Sequence, residues 1–313
     1  MKKILTIGSV TADVLLDSVD ALPASGRLQD VDSVAVLPGG CAVNAALDLK
    51  KLGAEVKLSC LVGQDVFGKM LIDHFEAAGL SLEGVISDPA VSTTLSVVLI
   101  SSFGERSFLY HPGSAAAFCR RHVPAALLDE ADILFMAGQM LLPSFEGEEL
   151  AAFFKEMKER GKMTVMDTAW DSSGRWLCRI EKALAYTDLF MPSFEEARAL
   201  SGVEDPFEMA DFFFDRGCGS VVIKLGKEGA LLCKSREERT LVPIIEGVNV
   251  KDTTGAGDAF CAGFLMGVAK GWDYPRSGRF AAAVAASCIG ETGASAGIKS
   301  YEETLLLAGL KEE

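Results

Sequence analysis

The chain has 313 residues, 49% of them hydrophobic, and a formal charge of −14. That length fits one large α/β domain or a domain with a small appendage, and no apolar run reaches membrane-spanning length. The acidic balance excludes a nucleic-acid or anionic-membrane surface, but not a local phosphate site built from a few donors.

The eight cysteines are scattered, with no Cys-x-x-Cys pair and none grouped with the three histidines. Zinc is therefore not expected, and reduced thiols in a cytoplasmic protein are. Met1–Gly8 is too short for a signal peptide's apolar core and reads as a first strand, with a glycine turn leading to Asp13. Residues 26–37 alternate apolar and polar like a half-exposed strand, which Pro38-Gly39-Gly40 breaks. The spacing of Val43, Leu47, Leu49 and Leu52 predicts a helix over 41–52, closed by Gly53. A buried strand over 56–62 and a helix over 66–78 follow. Residues 93–101 and 106–110 then read as two strands joined by Ser102-Phe-Gly104-Glu105, outside any β–α rhythm. With 26–37 they form a small separate sheet inserted into the main domain.

Beyond Pro124 the rhythm is regular. Strands over 133–137, 163–167, 189–192 and 220–225 alternate with helices near 145–160, 176–185, 194–201 and 206–216. Such repeated units imply a mostly parallel sheet covered by helices on both faces. A hairpin over 230–233 and 239–245 precedes two final helices, one running through Lys270 and one over 275–289.

Between that hairpin and the final helices lies Asp252-Thr-Thr-Gly255-Ala256-Gly257-Asp258. A turn of small residues running into a helix offers unpaired N–H groups and the positive end of the helix dipole, so a phosphate can sit on the amides. Asp258 is then either an N-terminal cap or a base beside that phosphate. A dehydrogenase reading fails, because no Gly-x-Gly-x-x-Gly follows the first strand.

Two stretches together resemble the PfkB/ribokinase family of carbohydrate and nucleoside kinases. They are Pro38-Gly-Gly-Cys-Ala-Val-Asn44-Ala-Ala and Asp252-Thr-Thr-Gly-Ala-Gly-Asp258-Ala-Phe, the likeness extending over essentially the whole chain. Gly104-Glu-Arg-Ser-Phe resembles the family's lid segment and Val222-Ile-Lys-Leu-Gly226-x-x-Gly229 its nucleotide-side turn. The resemblance implies a single ribokinase-like kinase domain over 1–313 with lid segments at 26–37 and 93–110. It implies an ATP-dependent phosphotransferase acting on a hydroxyl of a sugar-like acceptor, with Mg²⁺ and in some members K⁺, and a homodimer through the lid. Asp258 would be the general base, with Gly255, Ala256 and Gly257 as the anion hole. Asp13, Gly39, Gly40 and Asn44 would bind the acceptor, and Lys224, Gly226, Gly229 and Ser193 the nucleotide side. Glu196 would help hold magnesium. Asp252 with the carbonyls of Thr254 and Gly293 would hold a monovalent cation, or Asp252 would simply fix the turn. Serine stands at 193 where the family has asparagine, and a helix cap explains it equally well. Arg106 reads as a solvated turn charge. Alternatives are a non-catalytic sugar-binding or regulatory relative and a nucleoside kinase of the same fold.

Overall fold

A computed structural model describes residues 1–103 and 105–312. The expected turn glycine Gly104 lies outside the described residues. The strands in chain order are β1 Ile4–Gly8, β2 Thr11–Asp17, β3 Val34–Gly39, β4 Val56–Gly63, β5 Val85–Asp88, β6 Leu95–Ile100 and β7 Arg106–His111. They continue with β8 Ile133–Ala137, β9 Met163–Met166, β10 Leu189–Phe190, β11 Val221–Lys224, β12 Ala230–Cys233 and β13 Arg239–Val242.

Among the described residues nine strands form the main sheet, in the order β13-β12-β11-β10-β9-β8-β1-β4-β5. Pairing is parallel from β11 through β5 and antiparallel only at the β12 and β13 edge. Successive residues of a strand point to opposite faces, and here both faces are covered. Ile4 and Ile133 thus join one core and Leu5 and Leu134 the other. That double burial explains the unbroken apolar strands. One core is closed by the helices Cys41–Lys51, Val66–Ala77, Ala256–Lys270 and Tyr274–Ile289, the other by Gly147–Glu159, Phe194–Ser201 and Pro206–Phe214. Among the described residues no helix is long and apolar enough to cross a membrane.

The small sheet has four strands in the order β3-β2-β6-β7. It differs from expectation in three ways. Its central strand β2, at Thr11–Asp17, pairs with both β3 and β6 and was not anticipated. Residues 26–33 carry no strand, and β3 instead runs on through Pro38 to Gly39. Pro38 is tolerated because β3 is an edge strand, where a missing N–H disrupts no second ladder. The sheet is also mixed, since β2 and β6 run parallel.

The expected helix over 176–185 is a 3₁₀ turn at Trp176–Arg179 followed by one short helical turn at Glu181–Leu184. Asp171 explains the difference. Its carboxylate accepts from the Trp176 N–H at 2.7 Å and pairs with buried Arg179 at 2.8 Å, drawing the chain into a tight loop. Strand β5 and short helices at Gly113–Ala117, Ala125–Glu130 and Tyr301–Leu307 were also unforeseen.

Candidate active site

The carboxyl ends of β9, β10 and β11 deliver Asp167, Ser193 and Lys224 to one cleft, where parallel α/β sheets place their ligands. The helix Ala256–Lys270 begins over the same cleft. Its N-cap is Gly255, at φ 78° in the left-handed region. A Cβ there would sit 2.6 Å from the Ala294 carbonyl oxygen, so the chain has room only for glycine. Gly257 is less crowded, and a Cβ on it would meet only Lys224, with Nζ at 3.6 Å. The amides of the first turn are thereby presented to the cleft with a lysine beside them.

Asp258 stands on this first turn and accepts a hydrogen bond from Asn44 Nδ2 at 2.8 Å, across 214 residues of sequence. Burial raises its pKa, opposed by the Asn44 bond and by Lys224. A capping carboxylate would accept from a helix N–H, yet Asp258 makes no such bond and the helix has no side-chain cap. Lys224 Nζ lies 2.7 Å from Asp167. Burial opposes the lysine's charge, but the neighbouring Asp167 and Glu196 outweigh it and keep the ammonium protonated.

Asn44 and Cys41 project from the helix that follows the glycine pair. A Cβ on Gly39 would overlap the Asp13 carboxylate, so glycine lets that carboxylate lie against the β3 backbone. Directly paired residues share a face of a sheet, so Leu37, Asp13, Ser96 and Tyr110 form one row across the small sheet. Among the described residues the Asp13 carboxylate has no hydrogen-bond partner, and burial pushes its pKa up to about 7.

Ser193 and Glu196 cap each other. The Ser193 N–H donates to Glu196 Oε2 at 2.9 Å, and the Glu196 N–H donates to Ser193 Oγ at 3.4 Å. Thr168 Oγ1 also donates to Glu196, and all three residues line the cleft. The cap reading of Ser193 therefore describes its contacts. Gly229 is structural, since a Cβ would overlap the Val242 carbonyl oxygen. Gly226 opens the tight turn that leads to it, at φ 58°.

Asp252 accepts from the N–H groups of Thr254 and Gly293, each at 2.9 Å, and pairs with Arg106 at 2.8 Å. Burial opposes its ionisation, but these donors hold its pKa below the ordinary value. Arg106 is thus no solvated turn charge: its side chain is 22% exposed and also donates to Thr254 Oγ1. Register puts Arg106 on the same face of β7 as Tyr110, which explains how a small-sheet residue reaches the start of the glycine loop. Gly293 offers Asp252 its N–H, whereas the Thr254 carbonyl accepts weakly from the Cys288 thiol at 3.4 Å.

Sequence reasoning missed the second half of the cleft. A pocket of ≈ 400 Å³ adjoins the first, of ≈ 410 Å³, sharing Gly226, Gly229, Ala256, Phe260 and Ala285. Ile244, Ile245, Val248, Val250 and Ile289 give it an apolar lining. The exposed apolar residues Ile244 and Val250 were its only sequence signal, in a loop without periodicity. Asp167 and the exposed Trp170 also line the first half.

The profile of the pfkB family of carbohydrate kinases matches residues 1–300. An uncharacterised sugar kinase of Archaeoglobus fulgidus is 31% identical over 252 residues, covering 80% of this chain and 98% of the relative. A Haemophilus influenzae ribokinase is 29% identical over 315 residues, covering 97% of this chain and 98% of the relative. The structure of Arabidopsis thaliana ribokinase complexed with ribose and ATP aligns at a TM-score of 0.86 and 24% identity, over 99% of both chains. The chain belongs to the pfkB family and is an ATP-dependent carbohydrate kinase of ribokinase-like fold.

Proposed function

We propose that Asp258 is the general base of this kinase and that the amides of Gly255, Ala256 and Gly257 hold the phosphoryl group in flight. The observation that carries the reading is a half-buried carboxylate on the first helical turn, bonded to Asn44 rather than to the helix, beside Lys224 and a turn in which only the Ala256 N–H, of the three, donates to a backbone carbonyl among the described residues, that of Thr253 at 3.2 Å. The acceptor hydroxyl gives its proton to Asp258 while its oxygen forms a bond to the γ-phosphorus. The bond from that phosphorus to the bridging oxygen breaks, and ADP leaves with the electron pair. Because the fixed N–H dipoles already point at the developing charge, little reorganisation is needed during transfer. Asn44 holds the base in place, and Asp13 with the Gly39-Gly40 backbone takes the acceptor's other hydroxyls.

ATP would lay its adenine in the apolar pocket beyond Gly226 and Gly229, with Lys224 and Ser193 on the phosphate side. Among the described residues no three His, Cys, Asp or Glu side chains converge into a metal cage. Mg²⁺ keeps waters and leans on substrate phosphates, and Glu196, oriented by Ser193 and Thr168, would be its protein anchor. The ion would supply charge neutralisation of the phosphates. A K⁺ ion at Asp252, Thr254 and Gly293 requires Arg106 to release Asp252.

The small sheet acts as the lid over the acceptor and as the contact of a homodimer. Its outward face carries Val34, Val36 and Leu109, respectively 61%, 43% and 52% exposed, which suits a second copy of the same face. Eight free thiols fit the cytoplasm. The test is transfer of labelled γ-phosphate from ATP to a sugar panel, run beside Asp258→Asn. A variant that keeps parental turnover would sink the assignment of the base.

A further inference from the structure

On the footing that this cleft phosphorylates a bound acceptor, we propose that the acceptor is an uncharged polyhydroxy compound and that acids and phosphate esters of the same skeleton are rejected. The acceptor wall is the row Leu37, Asp13, Ser96 and Tyr110, with Cys41 of the first helix close to Tyr110. Every polar group in that row except Asp13 is neutral. In the half of the cleft that holds Asp258, the other charged side chains among the described residues are Asp167, Glu196 and the one cation Lys224.

Neither nearby cation lies open to an acid group on the acceptor. Lys224 is 11% exposed and held by Asp167 at 2.7 Å. Arg106, the cation on the acceptor-facing side of the small sheet, is tied to Asp252 at 2.8 Å and to Thr254. No cation acts on Asp13, whose acid is weakened by burial alone. A carboxylate or phosphate on the acceptor would therefore enter a partly dehydrated, acidic cleft without a counterion. A polyol meets the opposite case. Asp13 accepts from two hydroxyls, while the Ser96 and Tyr110 hydroxyls both donate and accept. The unsatisfied carboxylate of Asp13 is itself the strongest indication that hydroxyl donors are expected there.

The test uses acceptor pairs with one carbon skeleton: D-ribose with D-ribonate, D-fructose with 2-dehydro-D-gluconate, and D-glucitol with D-gluconate. ADP formation with ATP and Mg²⁺ measures kcat/KM, and calorimetry with a non-hydrolysable ATP analogue measures binding separately. The expected result is that the best neutral acceptor exceeds its acid partner by at least about 100-fold, and that Asp13→Asn narrows that ratio about tenfold. An acid bound and phosphorylated as well as its neutral partner overturns the proposal and leaves the kinase chemistry standing. Failure of transfer to every acceptor would instead strike the catalytic reading, with the calorimetric preference for neutral partners still deciding the charge selection.

Discussion

The two walls of the cleft are built on different terms. The glycine loop and Asp258 rest on the main sheet, where β1 and β8 are buried along their whole length. The proposed acceptor wall rests on four strands whose edges, β3 and β7, are mostly exposed. Steric fit holds the first wall: Gly255 is packed on Ala294 with no room for a side chain. The second is tied down by one ion pair, Arg106 with Asp252, and by the packing of Leu37 near Gly293. The difference suggests a division of labour in which charge stabilisation is preorganised and acceptor capture is adjustable.

The largest test of that division is Asp258→Asn. The amide keeps the size of the carboxylate and can still accept from Asn44, so stability should hold while kcat falls roughly 10²–10⁴-fold with KM little changed. Steady-state kinetics beside a melting curve would reveal a purely structural role, which predicts the reverse pattern.

A glycine pair then separates fit from catalysis within the same loop. Gly255→Val forces a side chain onto Ala294 from a left-handed backbone, and should cost ~3 kcal/mol of stability, read as a lower denaturant midpoint. Gly257→Ala meets only Lys224, at ordinary contact distance, so it should melt with the parent but turn over more slowly. Equal midpoints for the two variants would contradict the packing described for Gly255.

Arg106→Met addresses the second wall. With the ion pair gone, hydrogen exchange should quicken in Leu95–Ile100 and Arg106–His111 and stay unchanged in Ile133–Ala137. The variant should also gain more from K⁺ than the parent does, because Asp252 keeps its two N–H donors but loses its resident cation. Unaltered exchange in both strands would mean that the pair does not hold the sheet down.

The smallest effect expected is on pH. Burial raises the Asp13 pKa from 3.8 to about 7. The folded state thus binds this proton more tightly than the unfolded chain, and Asp13 withdraws stability as pH climbs from about 4 to about 7. Acceptor binding runs the other way, since the ionised carboxylate accepts hydroxyl protons. KM should fall by several-fold on raising pH through 7, and Asp13→Asn should flatten the profile.

Much of this was legible in the residues. The β–α alternation after Pro124, the glycine loop and Asn44 mark themselves by period and by composition, which act over a few positions. The small sheet was read only in part because β2, Thr11-Ala-Asp-Val-Leu-Leu-Asp17, does not alternate strictly: Leu15 and Leu16 are both half-buried, one on each face. The 3₁₀ turn at Trp176 escaped notice because a loop aspartate, Asp171, overrides a helix-compatible pattern through bonds to Trp176 and Arg179.

By itself the sequence determined the α/β class, the order of its main elements, and a glycine loop opening a helix. Those follow from local periodicity, backbone freedom and the dipole at a helix start. Only the tertiary structure decided that Asn44 meets Asp258, that Lys224 meets Asp167, that Arg106 meets Asp252, and that Asp13 has no partner among the described residues. The three pairings span tens to hundreds of residues and are set by strand order and sheet register. A partner chosen by packing leaves no mark in the local pattern of the chain.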